Sequence, residues 1–139
     1  MSWFYNNTEF TSEDIGENIG FVYLIIDNVN NKKYVGKKNF WSIRKLPPLK
    51  GQKRKRTKTT ESDWMDYFGS SEEVKLLVEQ SGRERFRREI LHLCKSKGEM
   101  SYMEAKEQFD RNVLLSDDYY NAFIGCKIHA KHVEGLKEK

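Results

Sequence analysis

The chain has 139 residues, of which 37% are hydrophobic and 13% aromatic, with two cysteines and a formal net charge of +4. One domain of this size buries enough apolar surface to need no disulfide framework, and two cysteines are too few for one, which leaves a reduced, cytoplasmic setting as the expectation. No apolar stretch approaches membrane-spanning length, and Met1-Ser2-Trp3-Phe4-Tyr5 lacks the basic-then-apolar form of a signal peptide, so no membrane partner is expected.

Residues 1–19 read as an N-terminal arm whose aromatics (Trp3, Phe4, Tyr5, Phe10) pack on the domain, with Ser12-Glu13-Asp14 opening a helical turn. Phe21 to Ile26 is a dense β-branched and aromatic run, hence a core strand. Asp27 to Asn31 is turn chemistry, because Asn and Asp tolerate left-handed backbone and bond their own chain. Lys32 to Gly36 is the returning strand. Lys37 to Ile43 is predicted to begin a helix, with Asn39 as its cap and Pro47-Pro48 as its end. Lys50 to Thr60 (KGQKRKRTKTT) reads as a mobile, charged loop inserted at about 45–60. Ser70-Ser71-Glu72-Glu73 opens a helix that Gly82 closes. Phe86 to Leu93 is a third strand, and Ser101-Tyr102-Met103-Glu104 fits the capping box of a helix running to about Leu114. A polar tail occupies 126–139. The order implies an α+β fold over residues 20–125: a small central antiparallel sheet of about three strands flanked by helices.

Charge is distributed unevenly. From Lys32 to Thr60 there are twelve Lys or Arg and no Asp or Glu, and the rest of the chain sets thirteen Lys or Arg against twenty-one acids, a balance of −8. A polyanion gains from meeting such a segment through counterion release. Lys37, Lys38, Lys50, Lys53, Arg54, Lys55, Arg56 and Lys58 are therefore the expected nucleic-acid contacts, mostly to the phosphate backbone. Arg83, Arg85, Arg87 and Arg88 suit a second phosphate-binding face, but the interspersed Glu84 and Glu89 suit an ion-paired strand edge equally well. Cys126, His129 and His132 stand at three-residue steps, without the four ligands at a recognised spacing that zinc requires.

Phe21-Val22-Tyr23 and Tyr34-Val35-Gly36, with eleven residues from one tyrosine to the other, resemble the two signature tripeptides of the GIY-YIG nucleases. Ten residues past Tyr34 lies Arg44, where the family places a catalytic arginine on its first helix. Glu107-Gln108-Phe109 resembles the metal-binding glutamate with its polar and aromatic followers, and Tyr120-Asn121 the C-terminal asparagine. Tyr34-Val35-Gly36-Lys37-Lys38, Asp63-Trp64 and Tyr67-Phe68-Gly69-Ser70-Ser71 look most like the free-standing, Seg-like homing endonucleases of T-even-like bacteriophages. The chain departs from the family pattern at Phe21, which replaces glycine, and at Pro48, where the family often carries His or Tyr; Tyr67 is the candidate for that missing role.

The resemblance implies an endonuclease that hydrolyses double-stranded DNA to 5′-phosphate and 3′-hydroxyl ends, in the host cytoplasm if phage-encoded. It also implies a magnesium or manganese ion, and a homodimer is plausible because two strands need two sites or two visits. Such hydrolysis requires an activated water, relief of charge at phosphorus and stabilisation of the leaving oxygen. By resemblance Tyr23 is the general base, and Lys33 is a candidate cation to help a phenol whose ordinary pKa is about 10. Tyr34 bonds the phosphate or the water, Arg44 clamps phosphoryl oxygens, Glu107 holds the metal with Glu104 as its rival one turn earlier, and Asn121 positions Glu107 or a phosphate. The reading requires positions 23, 34, 44 and 107 to gather around one pocket. Its alternative is a catalytically idle nucleic-acid-binding module of the same fold.

Overall fold

The computed structural model describes residues 2–125 and 127–136. In chain order the strands are β1 (Trp3–Tyr5), β2 (Thr8–Phe10), β3 (Gly20–Asp27), β4 (Lys33–Asn39), β5 (Trp41–Leu46), β6 (Arg56–Glu61) and β7 (Phe86–Cys94); the helices are α1 (Glu72–Ser81) and α2 (Lys97–Asp110). The fold is α+β, as expected, and the three strands foreseen from the sequence form its antiparallel centre, β7-β3-β4. The sheet grows to five strands in the order β2-β1-β7-β3-β4, because the N-terminal arm, whose Trp3 and Phe10 are buried, joins it as strands: β1 adds parallel to β7 and turns back as β2. Trp3 anchors that addition. It is fully buried, and its indole N–H donates to the Trp64 carbonyl at 2.7 Å.

β3 is covered on both faces, which explains its unbroken apolar run. Phe21, Tyr23 and Ile25 point into an aromatic core with Trp3, Phe40, Trp64 and Phe86. Val22 and Leu24 point the other way, onto Val35, Met100 and Val113 beneath α2. The predicted turn closes with Asn31 in the left-handed region (φ 62°), and the Asn31 N–H donates to the Asp27 carbonyl at 2.8 Å.

Two helical expectations change. Residues 37–43 form no helix: β4 continues to Asn39 and β5 follows, pairing with β6 as a separate two-stranded ribbon. The physical reason is in the side chains. Trp41, Ile43 and Lys45 alternate with Ser42, Arg44 and Leu46, a strand period, and the opposite strand Arg56-Thr57-Lys58-Thr59-Thr60 is rich in β-branched residues. Half of the expected mobile loop is thus strand β6. The last helix begins at Lys97 rather than near Ser101, because Ser96 is its cap and accepts from the Glu99 N–H at 3.1 Å. By contrast α1 starts and stops as predicted, with the Ser71 hydroxyl accepting from the Val74 N–H and Gly82 (φ 86°) closing it. In the C-terminal tail, His129 and His132 lie within described residues and Cys126 lies outside them; among the described residues no group of three metal-ligating side chains forms. No described helix is long and apolar enough to cross a membrane.

The end of β3 is fastened by a buried charge. Asp27 is fully buried, takes two 2.8 Å bonds from the Arg85 guanidinium and one of 2.6 Å from the Tyr120 hydroxyl. Burial opposes the carboxylate charge, but the bonds from Arg85, Tyr120 and the Val29 N–H outweigh it and hold its pKa below the ordinary value. A depressed folded value contributes stability that is complete above the unfolded pKa of about 3.9 and is lost as pH falls through the folded one. Asp27→Asn is expected to cost about 3 kcal/mol at neutral pH and to flatten the acid limb of the stability–pH curve. Urea melts of both proteins from acid to neutral pH check this, and a variant with the same acid limb as the parent refutes the assignment.

Candidate active site

Tyr23 is 1% exposed, and its ring stands between the edge of Trp3 (5.5 Å between centroids), Tyr67 (5.9 Å) and Tyr34 (6.2 Å). Its cross-strand partner is Gly36, and the phenol lies across that residue's Cα: a Cβ there would fall 2.3 Å from the hydroxyl oxygen. The glycine of the second tripeptide is thus a seat for the tyrosine of the first. Tyr34 projects from β4 onto the same face, where its hydroxyl shares a 2.8 Å hydrogen bond with the Ser70 hydroxyl. A Cβ on Gly69, which sits at φ 91°, would fall 3.2 Å from the Tyr34 ring, so a glycine suits the approach that precedes Ser70. Arg88 fixes the third phenol. Its buried guanidinium donates to the Met65 and Tyr67 carbonyls at 2.9 Å each and lies over Trp3 and Phe68. Burial, then the nearby Arg83, lowers its pKa to about 10, which leaves it charged at neutral pH.

The edge of β4 is where these phenols meet α2. Lys37, on the α2 side of the strand, donates to the Ser101 hydroxyl at 3.0 Å and lies 3.8 Å from the Glu104 carboxylate. Ser101, Glu104 and Gln108 are spaced i, i+3, i+7 and so form one helical stripe against this edge. Gln108 ends the stripe with a 3.1 Å bond to the Val35 carbonyl. A cleft of about 610 Å³ opens along the stripe, lined by Tyr34, Lys37, Ser70, Glu104, Gln108 and Asn121 among others. Lys38 points to the opposite side of the strand, bonded to Asp63 at 2.7 Å and lying over the Tyr67 ring at 4.4 Å.

Several residues singled out in the sequence lie elsewhere. Glu107 is on the neighbouring stripe of α2, where it bonds His92 at 2.9 Å and Arg111 at 2.7 Å; burial opposes its charge and these two partners overcome it, lowering its pKa. Arg44 is exposed on β5, directly opposite Lys58, and is not among the cleft-lining residues. Its place in the fold follows from the missing first helix: a strand carries it out along the ribbon. Lys33 is paired with Ile26, three positions from Tyr23 along the sheet, with its ammonium bonded to the Asn31 carbonyl. Asn121 is buried and borders the cleft, but its amide is used to clamp Val35, accepting from its N–H at 3.0 Å and donating to its carbonyl at 2.8 Å. Of the four positions required to share a pocket, only 34 lines this cleft; Tyr23 is buried beneath it in ring contact with Tyr34, and 44 and 107 are not among the lining residues. The rival carboxylate, Glu104, lines it.

Electrostatics sharpen the picture. Burial raises the pKa of Glu104, only partly offset by Lys37. Burial also raises Tyr23 well above its ordinary value, helped by the Tyr67 and Tyr34 phenols and by Glu104. Tyr34 rises for the same first reason, with the Ser70 bond acting against it. Both phenols are therefore neutral hydrogen-bonding groups at neutral pH. Cys94, pushed up to about 12 by burial, is no nucleophile. The four arginines from 83 to 88 form no open phosphate face, since Arg83 pairs with Asp66, Arg85 with Asp27 and Arg87 with Glu89, and Arg88 is buried.

A family model described as the putative endonuclease SegE, GIY-YIG domain, matches residues 3–124. The chain belongs to this family. Membership makes it a nuclease-family protein acting on DNA, of a kind generally dependent on divalent metal. The match begins at Trp3 and so includes the β1–β2 pair. No curated protein and no solved structure gives a significant match.

The seat under Tyr23 is testable. Gly36→Ala is expected to cost about 2 kcal/mol by forcing the phenol off its place. In a double-mutant cycle with Tyr23→Leu, measured by thermal and urea melts, the two losses should fall well short of additivity. Additive losses refute the contact.

Proposed function

We propose that this GIY-YIG protein is a divalent-metal-dependent DNA endonuclease that works in the cleft beside β4. It hydrolyses phosphodiester bonds to 5′-phosphate and 3′-hydroxyl ends as a phage homing-type enzyme in its host's cytoplasm. One observation carries this reading. A largely buried carboxylate, Glu104, shares a single cleft with a phenol, Tyr34, and a cation, Lys37.

A magnesium or manganese ion is commonly held by one protein carboxylate, waters and substrate phosphate. Glu104 fits that arrangement: its side chain is 14% exposed, it faces the cleft, and among the described residues its one ionic partner is Lys37 at 3.8 Å. When bound, the ion neutralises charge on the phosphoryl oxygens and beside the leaving oxygen. The Tyr34 hydroxyl, held by Ser70, donates to a phosphate oxygen or orients the attacking water. Lys37, held by Ser101, supplies the cationic contact that the resemblance assigned to Arg44. Tyr23 is a positioning residue, setting the planes of Tyr34 and Tyr67 from beneath. Asn121 and Gln108 keep the β4 edge in register with the cleft. Cutting both strands requires two such clefts or two encounters.

The catalytically idle module keeps one specific argument in its favour, the outward position of Arg44. Nicking of supercoiled plasmid with magnesium or manganese separates the two readings. The enzyme reading expects cleavage that Glu104→Gln lowers by about 10²-fold or more, with Glu107→Gln retaining far more activity. DNA binding without cleavage under either metal establishes the idle module, and loss confined to Glu107→Gln overturns the role given to Glu104. Because burial raises the Glu104 pKa, its ionisation opposes folding as pH rises from about 4.3 through the higher folded value. Glu104→Gln should therefore melt at the same or a higher temperature than the parent at neutral pH. A lower melting temperature contradicts the electrostatic account.

A further inference from the structure

The ribbon β5–β6 stands outside both cores. Apart from the half-buried Leu46, every residue of its two strands is exposed. Its register sorts the side chains onto two unlike faces. One carries Ser42, Arg44 and Leu46 opposite Thr60, Lys58 and Arg56; the other carries Trp41, Ile43 and Lys45 opposite Glu61, Thr59 and Thr57. Arg44 and Lys58 are directly paired across the strands. Like charges so placed destabilise a sheet, and a lone two-stranded ribbon has little stability to spare. The apolar face is turned towards the body of the protein, where Trp41, Ile43 and Thr59 line a crevice of about 260 Å³ with Ile19 and Lys95–Lys97. At the base of the cationic face Ser42 and Thr60 line a second cleft of about 570 Å³ with Lys38, Asp63 and Lys97, and further along it Arg44, Arg56 and Lys58 are exposed. At the tip, between the strands, stand Lys50, Lys53, Arg54 and Lys55.

Resting on the DNA endonuclease reading, we propose that this ribbon enters the major groove of duplex DNA with the Ser42/Arg44/Lys58/Thr60 face towards the bases. The major groove, about 12 Å wide, admits a two-stranded ribbon without distortion, whereas the minor groove at about 6 Å takes one only when the duplex is deformed to widen it. Phosphates along both groove walls relieve the Arg44–Lys58 repulsion that the free ribbon sustains. An arginine can bond guanine O6 and N7, and Ser and Thr hydroxyls can bond either partner of a pair. Lysines and Arg54 at the tip meet backbone phosphates and supply sequence-independent affinity.

Arg44 and Lys45 provide an internal control, being adjacent cations on opposite faces. Binding is measured in EDTA on mixed-sequence linear duplex, so that cleavage does not enter the readout. Arg44→Thr and Lys58→Thr are each expected to weaken binding about tenfold or more, and Lys45→Thr by under about threefold. Threonine suits a strand and removes the repulsion, so the two cationic-face variants should melt no lower than the parent. With dye-loaded duplex, the parent protein is expected to release methyl green, which occupies the major groove, and to leave netropsin in the minor groove. Equal losses for Arg44→Thr, Lys58→Thr and Lys45→Thr, or release of netropsin in place of methyl green, overturn the proposal. Magnesium-dependent nicking by the parent protein that Glu104→Gln abolishes upholds the endonuclease reading whichever way the ribbon experiment falls.

Discussion

Tyr23 lies across the backbone at Gly36, and most of the site's geometry follows from that contact. A side chain at position 36 would collide with the phenol, so the two strands can carry a large aromatic between them only where one residue has no Cβ. With the ring seated there, Tyr34 lies tilted against it and Tyr67 meets it edge-on, each at about 6 Å, and Trp3 closes it from the β1 side. The N-terminal strand pair consequently belongs to the site's support as much as to the sheet. Burial of Arg88 serves the same end. A guanidinium with two aromatic faces and two carbonyl acceptors holds the 65–67 segment where the third phenol is needed.

The hairpin, α1 and β7 were legible because local signals agree there: β-branched density, turn residues, a serine cap and a closing glycine. The ribbon was less legible. Lys37 to Ile43 offers Asn39 as a cap and prolines further on, which reads as a helix. What decides it is the pairing with Arg56–Glu61, ten residues beyond Leu46 and outside any local window. The N-terminal strands escaped for a related reason. Three-residue strands have too few positions to show a period, and β1 is specified by its parallel partner β7.

The carboxylate is the instructive case. Glu104 and Glu107 lie one turn apart, and the residues following Glu107 point to it by similarity. In space the two carboxylates are parted by the phase of the helix. Ser96 caps α2, and this phase turns Ser101, Glu104 and Gln108 to the β4 edge while Glu107 meets His92 and Arg111 over β7. The polar stripe at i, i+3, i+7 was present in the sequence as a signal. Choosing between the stripes required knowing which strand each one faces. Asn121 shows the complementary limit: the residue type is right for a site, but its amide is consumed in holding Val35 at the cleft's rim.

Two features of the free protein are electrostatically unfavourable, and they are of opposite sign. Glu104 is a largely buried carboxylate whose one ionic partner among the described residues is Lys37 at 3.8 Å, and burial raises its pKa. The ribbon sets Arg44 against Lys58 with no acid on that face. Neither is expected to add to the stability of the fold. On the proposed reading a polyanion would relieve the second and a divalent cation held by Glu104 would relieve the first. Sites for charge-coupled ligands are often recognisable in this way, because the protein leaves unmet the interactions that the ligand completes. Here the unmet negative charge lies in the cleft and the unmet positive charge on the ribbon, so the proposed reading would have a divalent ion met by the first and the phosphate backbone of the flanking duplex by the second.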